Sequence, residues 1–448
     1  MLPMVGVPTT IANGMKNYRE VFCRKEGYEH VSRYVSGLVL SENKTLQAIH
    51  AQQVWPEEKE VTRRAMHAAV FEAGWSSEEL MVKHRAEVSA DHRGGRGREV
   101  IGVDWTQAHH KRGPHIYGVK EAYDYVERRN SLFQTVVTVA ISNRELIDGL
   151  AVEVQLPNFS EEELEYLSVT KQESYTEMEA VRKRIVELFS YQRNRLAYRK
   201  RTEMAVEIVR QIESEGQFPK ADYAFDNGVL TLDLTRLIEN QGKHWVSEIE
   251  CSRHINWEGQ WRRVDEVAQG LRGQHPESFR PVKAKGRNGE EKQYWAFTKV
   301  VRLKRYGRKR LVIVHEKEDL SDTPRFLLTD ALHWESVRVI ETWNYRWPVE
   351  VFHEFSKQVT GFESAQVRKE EAVKRHFRLS CVAQSLVQRA ACSGGKSERF
   401  EFADEKATVG QKVYTIAREA LAGVLQLAQG LFAQGRTCDQ VLKVLMPT

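Results

Sequence analysis

The sequence predicts an α/β protein: a mixed-sheet core, a mostly β insertion within it, and helical regions at both ends. Three observations predict this. Residues 28–73 carry apolar side chains at three- and four-residue spacing, the mark of amphipathic helices. From residue 99 the period changes, and short β-branched runs alternate with helical stretches in the order β-β-β-α-β-α-β. Residues 251–323 are rich in turns and β-forming runs before helical patterns resume near residue 334.

The bulk properties bound the problem. A chain of 448 residues is too long for one ordinary compact core, so two to four domains are expected. Hydrophobic residues make up 41% and charged residues 29%, which fits packed cores and excludes a disordered chain. The formal charge is only +5, but cations cluster locally. Arg93, Arg96 and Arg98 form one group, Arg193 and Arg195 a second, Arg199, Lys200 and Arg201 a third, and Lys304, Arg305, Arg308, Lys309 and Arg310 a fourth. Any one of them reads as solvated surface; together they tilt toward a polyanionic partner. Cys23, Cys251, Cys381, Cys392 and Cys438 are scattered without zinc or disulfide spacing, which fits a reducing compartment. No signal peptide and no membrane-length apolar run is visible, so a soluble cytoplasmic protein is expected.

The elements follow in order. Helical patterns cover residues 28–40, 44–53 and 58–73, with Ser41 and Asn43 placed to cap a helix start. Such a region reads either as a helix-turn-helix DNA reader or as a packing domain. A Gly/Arg linker spans residues 92–98. Residues 99–104, 132–141 and 150–156 then read as three strands of an antiparallel meander, with Asp148 and Gly149 supplying a turn before the third. Residues 160–215 are polar and helix-forming, with Ile185, Leu188, Phe189 and Leu196 as a candidate buried stripe. A strand over 222–226 stops at Asn227 and Gly228, a helix follows over 232–239, and another strand over 244–249. The insertion, residues 251–323, holds Trp257, Trp261 and Trp295 and β-rich runs over 294–303 and 310–315. Helices are expected from 334 to about 391 and again over 413–432, with a linker at 393–398.

The chemistry begins with acids at strand ends. Asp104 closes the first predicted strand and Asp226 the fourth. If those strands are neighbours, two carboxylates emerge side by side, an arrangement that normally requires a bound cation. Oxygen ligands suit Mg²⁺ or Mn²⁺. Taken singly, each Asp reads rather as a strand-end or turn residue facing water. The third acid lies in an R-x₃-E-x₆-K pattern, Arg346, Glu350 and Lys357. Seven helical positions advance about 700°, so Glu350 and Lys357 share one face two turns apart. Pro348 fits the first helical turn, which puts Glu350 where the positive helix end favours a carboxylate. His353 shares that face, and a solvated ion-pair face gives the same spacing. His109 and His110 follow the first acid and read as a loop pair.

With Trp343 in front, this segment resembles the Y-x₂-R-x₃-E-x₆-K motif of the DDE transposases of bacterial insertion sequences, the "IS-four" group and its relatives. Trp343 stands where the family has Tyr. Residues 100–106 resemble the surroundings of the family's first acid, residues 224–228 those of the second, and residues 362–368 the stretch after the third. The resemblance covers roughly residues 96–392, with the insertion between the second and third acids as in that group. It implies an RNase H-like catalytic core, with Asp104, Asp226 and Glu350 holding two Mg²⁺ ions (Mn²⁺ as a substitute). It implies cleavage at the ends of a mobile element and strand transfer into target DNA. Double-stranded DNA would be the partner, bound by a homodimer on paired ends in a bacterial cytoplasm, at the nucleoid. Arg346, Lys357 and Trp343 would lie on the DNA side, and Trp295 is a candidate for stacking on a flipped base, beside its reading as a buried strand residue.

The expected division is a helical DNA-binding region over 1–95, a catalytic core over 96–250 and 324–392, the insertion over 251–323, and a helical C-terminal region over 393–448. Two other readings stay open: an RNase H-like nuclease without strand transfer, and a DNA-binding relative that has lost catalysis.

Overall fold

The computed structural model of the chain describes residues 3–55, 61–95, 97–113, 115–124, 127–157, 198–287, 289–364, 366–391 and 408–446. The N-terminal helices are α1 (Thr9–Lys16), α2 (Lys25–Leu40), α3 (Leu46–Ala51), α4 (Arg63–His67) and α5 (Ser77–Arg93). Hydroxyl side chains start three of them: Thr45, Thr62 and Ser76 each accept a backbone N–H three residues on. Thr45, in place of the expected Ser41 or Asn43, is the cap of α3; Asn43 instead accepts the Thr45 N–H. The helical pattern of 58–73 breaks into α4 and a π-helical turn over Ala68–Glu72.

The central elements follow. They are β1 (Val100–His110), β2 (Val119–Asp124), β3 (Arg129–Ser142), β4 (Ile147–Gln155), α6 (Arg201–Glu215), β5 (Asp222–Phe225), α7 (Leu232–Asn240) and β6 (Trp245–Glu248). After them come β7 (His254–Trp257), β8 (Gln260–Arg263), α8 (Val264–Gln274), β9 (Arg280–Lys285), β10 (Glu291–Leu303), β11 (Gly307–His315) and β12 (Arg325–Thr329). The chain ends in α9 (Ser336–Asn344), α10 (Trp347–Gln358), α11 (Glu370–Gln388), α12 (Val409–Ala433) and α13 (Cys438–Leu445). The stripe expected at Ile185, Leu188, Phe189 and Leu196 lies outside the described residues.

The strands form one large mixed sheet, so the protein is α/β as expected. Its order is β2-β3-β1-β5-β6-β12-β11-β10-β7-β8, with β4 also on β3 and β9 also on β10. β1, β3 and β4 are the antiparallel meander; β5 and β6 run parallel to β1. The strands of 251–323 do not stand apart. They extend this sheet through β12, which pairs antiparallel with β6, and they include one helix, α8, that the sequence reading did not anticipate.

Helices cover both faces. On one, α6, α7 and α8 pack Val209, Leu234 and Val267 against Val103, Phe225, Trp245 and Leu311. On the other, α10 and α11 bring Val349, Phe352 and Phe377 onto Ala108, Val136 and Val152, while α9 brings Val339 and Trp343 onto Val246 and Leu327. Strands buried on both faces read as continuous apolar runs, which is why residues 136–141 carried so strong a signal. The N-terminal helices close around α11, where buried Tyr34 donates to or accepts from His376 Nδ1 at 2.8 Å and Arg375 donates to the carbonyl of Ala73 at 2.7 Å. No helix among the described residues is long and apolar enough to cross a membrane.

The seat of α10 depends on two glycines. A Cβ on Gly102 would stand 3.2 Å from Cβ of Val349, and one on Gly149 would stand 2.6 Å from the Phe352 ring. Phe352 is fully buried and cannot swing away. Gly149→Ala is therefore expected to destabilise the fold by about 1–3 kcal/mol through overpacking. Urea unfolding of wild type and variant checks this; equal midpoints would show that α10 yields freely.

Candidate functional site

Three features bring the site together. The first is strand register. β1 and β5 are parallel with Val103 opposite Phe225, so the next residues, Asp104 and Asp226, are neighbours. Asp104 does not end its strand, contrary to expectation. β1 runs on to His110 because long β3 continues to pair with it, Asp104 opposite Thr138. What ends at Asp104 is the pairing with short β5, and that opens the side of β1 on which Asp226 sits.

The second feature is the turn after β5. Asp226 Oδ1 accepts the N–H groups of Gly228 at 3.0 Å and Val229 at 3.1 Å, which fixes the carboxylate while leaving Oδ2 uncommitted by those bonds. The third is the docking of α10. Pro348 lies in its first turn, Glu350 in the same turn and Lys357 in its last, as the spacing predicted. Val349 sits on Gly102, and His353 Nε2 meets Thr138 Oγ1 at 2.6 Å, with Thr138 itself paired to Asp104. Glu350 lies between those two anchors. His353 is held down at about 3 by burial, with Lys357 adding to the effect, so it is a neutral spacer of α10 at ordinary pH.

The electrostatics of Asp104 register both of the other acids. The Asp104 carboxyl is pushed up to about 7. Burial is the main cause; the Trp105 N–H, which Asp104 Oδ1 accepts at 2.8 Å, opposes it; the negative charges of Asp226 and Glu350 raise it further, and Arg346 pulls it back. Arg346 Nη2 lies 2.6 Å from Glu350 Oε1, and its guanidinium stands 5.2 Å from the Trp343 ring. Lys357 Nζ pairs with Glu363 at 3.4 Å.

A fourth acid was missed by the sequence reading. Glu248 ends β6, one residue beyond Ser247, which pairs with Phe225. Burial raises its carboxyl above the ordinary range, Asp226 adds to that, and Arg325 and Arg346 oppose it. The available signal was its place at the end of the strand next to that of Asp226. Two aromatics also flank the acids. Trp347 follows Arg346 directly and is 60% exposed; Trp105 follows Asp104 and lies under the Arg201 guanidinium at 4.3 Å.

The two tryptophans expected at DNA are placed otherwise. Trp343 is 6% exposed and packs with Val246, Leu327 and Trp334, so it supports Arg346 from inside and offers no face to a ligand. Trp295 is half-buried on β10 against the main core, opposite His315. Five strand spacings separate β10 from β1, roughly 24 Å. The structure does not bring Trp295 to the acids.

The donor set consists of carboxylate oxygens, which suits a hard divalent cation. Donors to a single Mg²⁺ lie within about 4.2 Å of one another, whereas two ions a few ångströms apart are spanned by oxygens up to about 8 Å apart. Asp104, Asp226 and Glu350 do not have ligand atoms all within 4.8 Å; among the described residues that closeness belongs to His109, Asp124 and Glu127. As they stand, the three acids are therefore too far apart to ligate a single ion together, and Glu350 is paired with Arg346. The chain matches no known protein-family pattern and no curated protein.

Proposed function

We propose that this chain is a DDE transposase: an RNase H-like enzyme that cuts DNA at the ends of an insertion sequence and joins the freed ends to target DNA. The observation that carries this reading is the placement of Asp226 beside Asp104 by the β1–β5 register, with Glu350 on the helix whose Val349 seats on Gly102 of β1. The strand order β4-β3-β1-β5-β6, antiparallel for the first three and parallel thereafter, supports the RNase H-like reading. So does the R-x₃-E-x₆-K helix seated across β1.

In this reading Asp104, Asp226 and Glu350 hold two Mg²⁺ ions, for which Mn²⁺ substitutes. Ions held there would supply the positive charge needed to activate an attacking hydroxyl and to stabilise the leaving oxygen. The protein's own groups do the positioning. Arg346 is shared between carboxylates and has a planar fork that fits a phosphate, so DNA draws it off Glu350 and frees that acid. Lys357 exchanges Glu363 for phosphate in the same way, as a point charge. Exposed Trp347 offers a face to an unstacked base. The partner is double-stranded DNA, engaged by a homodimer on paired ends.

The test is an assay with labelled DNA carrying the element's ends, with Mg²⁺ and then with EDTA. Products longer than the substrate, dependent on the metal, are expected. Nicks alone would make the chain a nuclease of the same fold, and binding without either product would make it a DNA-binding relative that has lost catalysis. Arg346→Ala is expected to weaken binding and to reduce the salt dependence of binding by about one phosphate contact. An unchanged salt slope would remove Arg346 from the DNA.

A further inference from the structure

A second group of metal-ligating side chains lies on the opposite face of β1 from Asp104. Side chains alternate along a strand, so Gln107 and His109 point away from the face that carries Asp104. His109 on β1 and Asp124 at the end of β2 flank β3 from either side and meet over it. His109 Nε2 lies 2.6 Å from Asp124 Oδ2. Glu127, in the turn that leads into β3, donates its N–H to Asp124 Oδ1 at 3.2 Å. Ligand atoms of His109, Asp124 and Glu127 all lie within 4.8 Å of one another. The Gln107 amide reaches both Asp124 oxygens, at 3.0 and 3.2 Å.

We infer that His109, Asp124 and Glu127 form a binding site for a transition-metal cation of the Zn²⁺ type, separate from the three acids and independent of the transposase reading.

Two observations beyond the clustering of acids point there. The first is the setting of His109. Its Nδ1 faces Glu363 Oε1 at 3.3 Å, and the same oxygen accepts the His109 backbone N–H at 3.2 Å. A carboxylate on one ring nitrogen fixes the tautomer and aims the other nitrogen, and this is how histidines that ligate zinc are held. The aimed nitrogen here is Nε2, and it points at the other two ligands. The second is burial. Asp124 is fully buried, yet its carboxylate gathers His109, Gln107 and the Glu127 carboxylate around it. The neighbouring cations engage the flanking acids from outside: Arg129 holds Glu127, and Lys357 holds Glu363. A divalent ion at the centre would draw ligands from His109, Asp124 and Glu127 together.

The donor types select the ion. One imidazole and two carboxylates suit Zn²⁺, with Mn²⁺ weaker in the usual order of affinities, whereas Mg²⁺ prefers oxygen alone. Donors on one tetrahedral Zn²⁺ stand about 3.3 Å apart, so the ion would open the His109–Asp124 contact slightly. Bound there, it ties the β2–β3 hairpin to β1. Through Glu363 it also steadies the partner of Lys357.

The experiment measures Zn²⁺ uptake by the full chain carrying Asp226→Asn, which disables the acid cluster on the other face. Equilibrium dialysis with metal analysis should give one tightly held Zn²⁺ per chain, and Co²⁺ in its place should give visible d–d absorption. His109→Ala should lower the affinity by at least about tenfold and abolish the absorption. Glu127→Gln, at an exposed position, should weaken binding as well and serves where His109→Ala fails to fold. Absence of zinc uptake at micromolar concentration overturns the proposal. So does uptake that neither substitution changes.

Discussion

Asp226→Asn is expected to lower metal-dependent DNA cleavage by on the order of 10³-fold or more, since loss of even one preorganised electrostatic contact to a transition state costs about 10²–10³. Folding should survive. The amide oxygen of Asn still accepts the Gly228 and Val229 N–H groups that shape the turn after β5. DNA binding should be kept or slightly strengthened, because one negative charge fewer faces the phosphates. A gel-shift titration beside a single-turnover cleavage assay separates the two effects. Cleavage at the wild-type rate would remove Asp226 from the reaction and, with it, the proposed function.

The second large effect is a pH dependence centred on Asp104. Its carboxyl is pushed up from 3.8 to about 7, mainly by burial, with Asp226 and Glu350 adding to it. The folded state thus holds this proton more tightly than the unfolded chain. Below the unfolded value both states are protonated and there is no penalty. As pH rises toward 7 the unfolded chain ionises first, and stability falls by up to about 1.4 kcal/mol per pH unit. Above about 7 the folded carboxyl ionises as well and the penalty levels off. Asp104→Asn removes it. The variant should gain a few kcal/mol over wild type at pH 8 in EDTA, and its advantage should shrink by about 3 kcal/mol at pH 5. Mg²⁺ should recover the loss in wild type alone. Urea unfolding across this pH range checks the prediction; parallel curves for the two proteins would mean that folding does not raise the Asp104 carboxyl. Cleavage should likewise decline as pH falls below about 7, less steeply at higher Mg²⁺, because the cation and the proton compete for the same oxygens.

A site-directed variant at the α10 anchors probes the same geometry from outside the chemistry. Gly149→Ala alters no charged group, yet it pushes on Phe352 and so on the helix that carries Glu350. Its effect on cleavage should exceed what its effect on stability alone would produce, because metal-site geometry tolerates little displacement.

Local signals explain what was legible in the sequence. The phase of Glu350 and Lys357, Pro348 in the first turn of α10, the apolar run of β3 and the turn after Asp226 are all set by neighbours within a few residues. Periodicity, proline geometry and turn chemistry act over that range. The same range explains the errors. Sequence patterning ended β1 at Asp104 because polar residues follow it, although β3 keeps pairing with β1 to His110. It passed over β2, a mostly solvent-facing edge strand with little alternation to detect. Trp343 was assigned to the ligand side from a motif position, whereas α9 turns it into the core beneath Arg346.

The sequence by itself determined which residues form helix and strand around each acid and which chemistry they could carry. Only the tertiary structure decided who stands beside whom: Asp226 next to Asp104 through one parallel register, Glu248 as a fourth acid, and His109 with Asp124 across β3. The division has a physical cause. Secondary structure follows from short-range backbone and side-chain preferences, but register and helix docking follow from packing among segments far apart in the chain. A shift of one residue there would turn each of these side chains to the other face of the sheet.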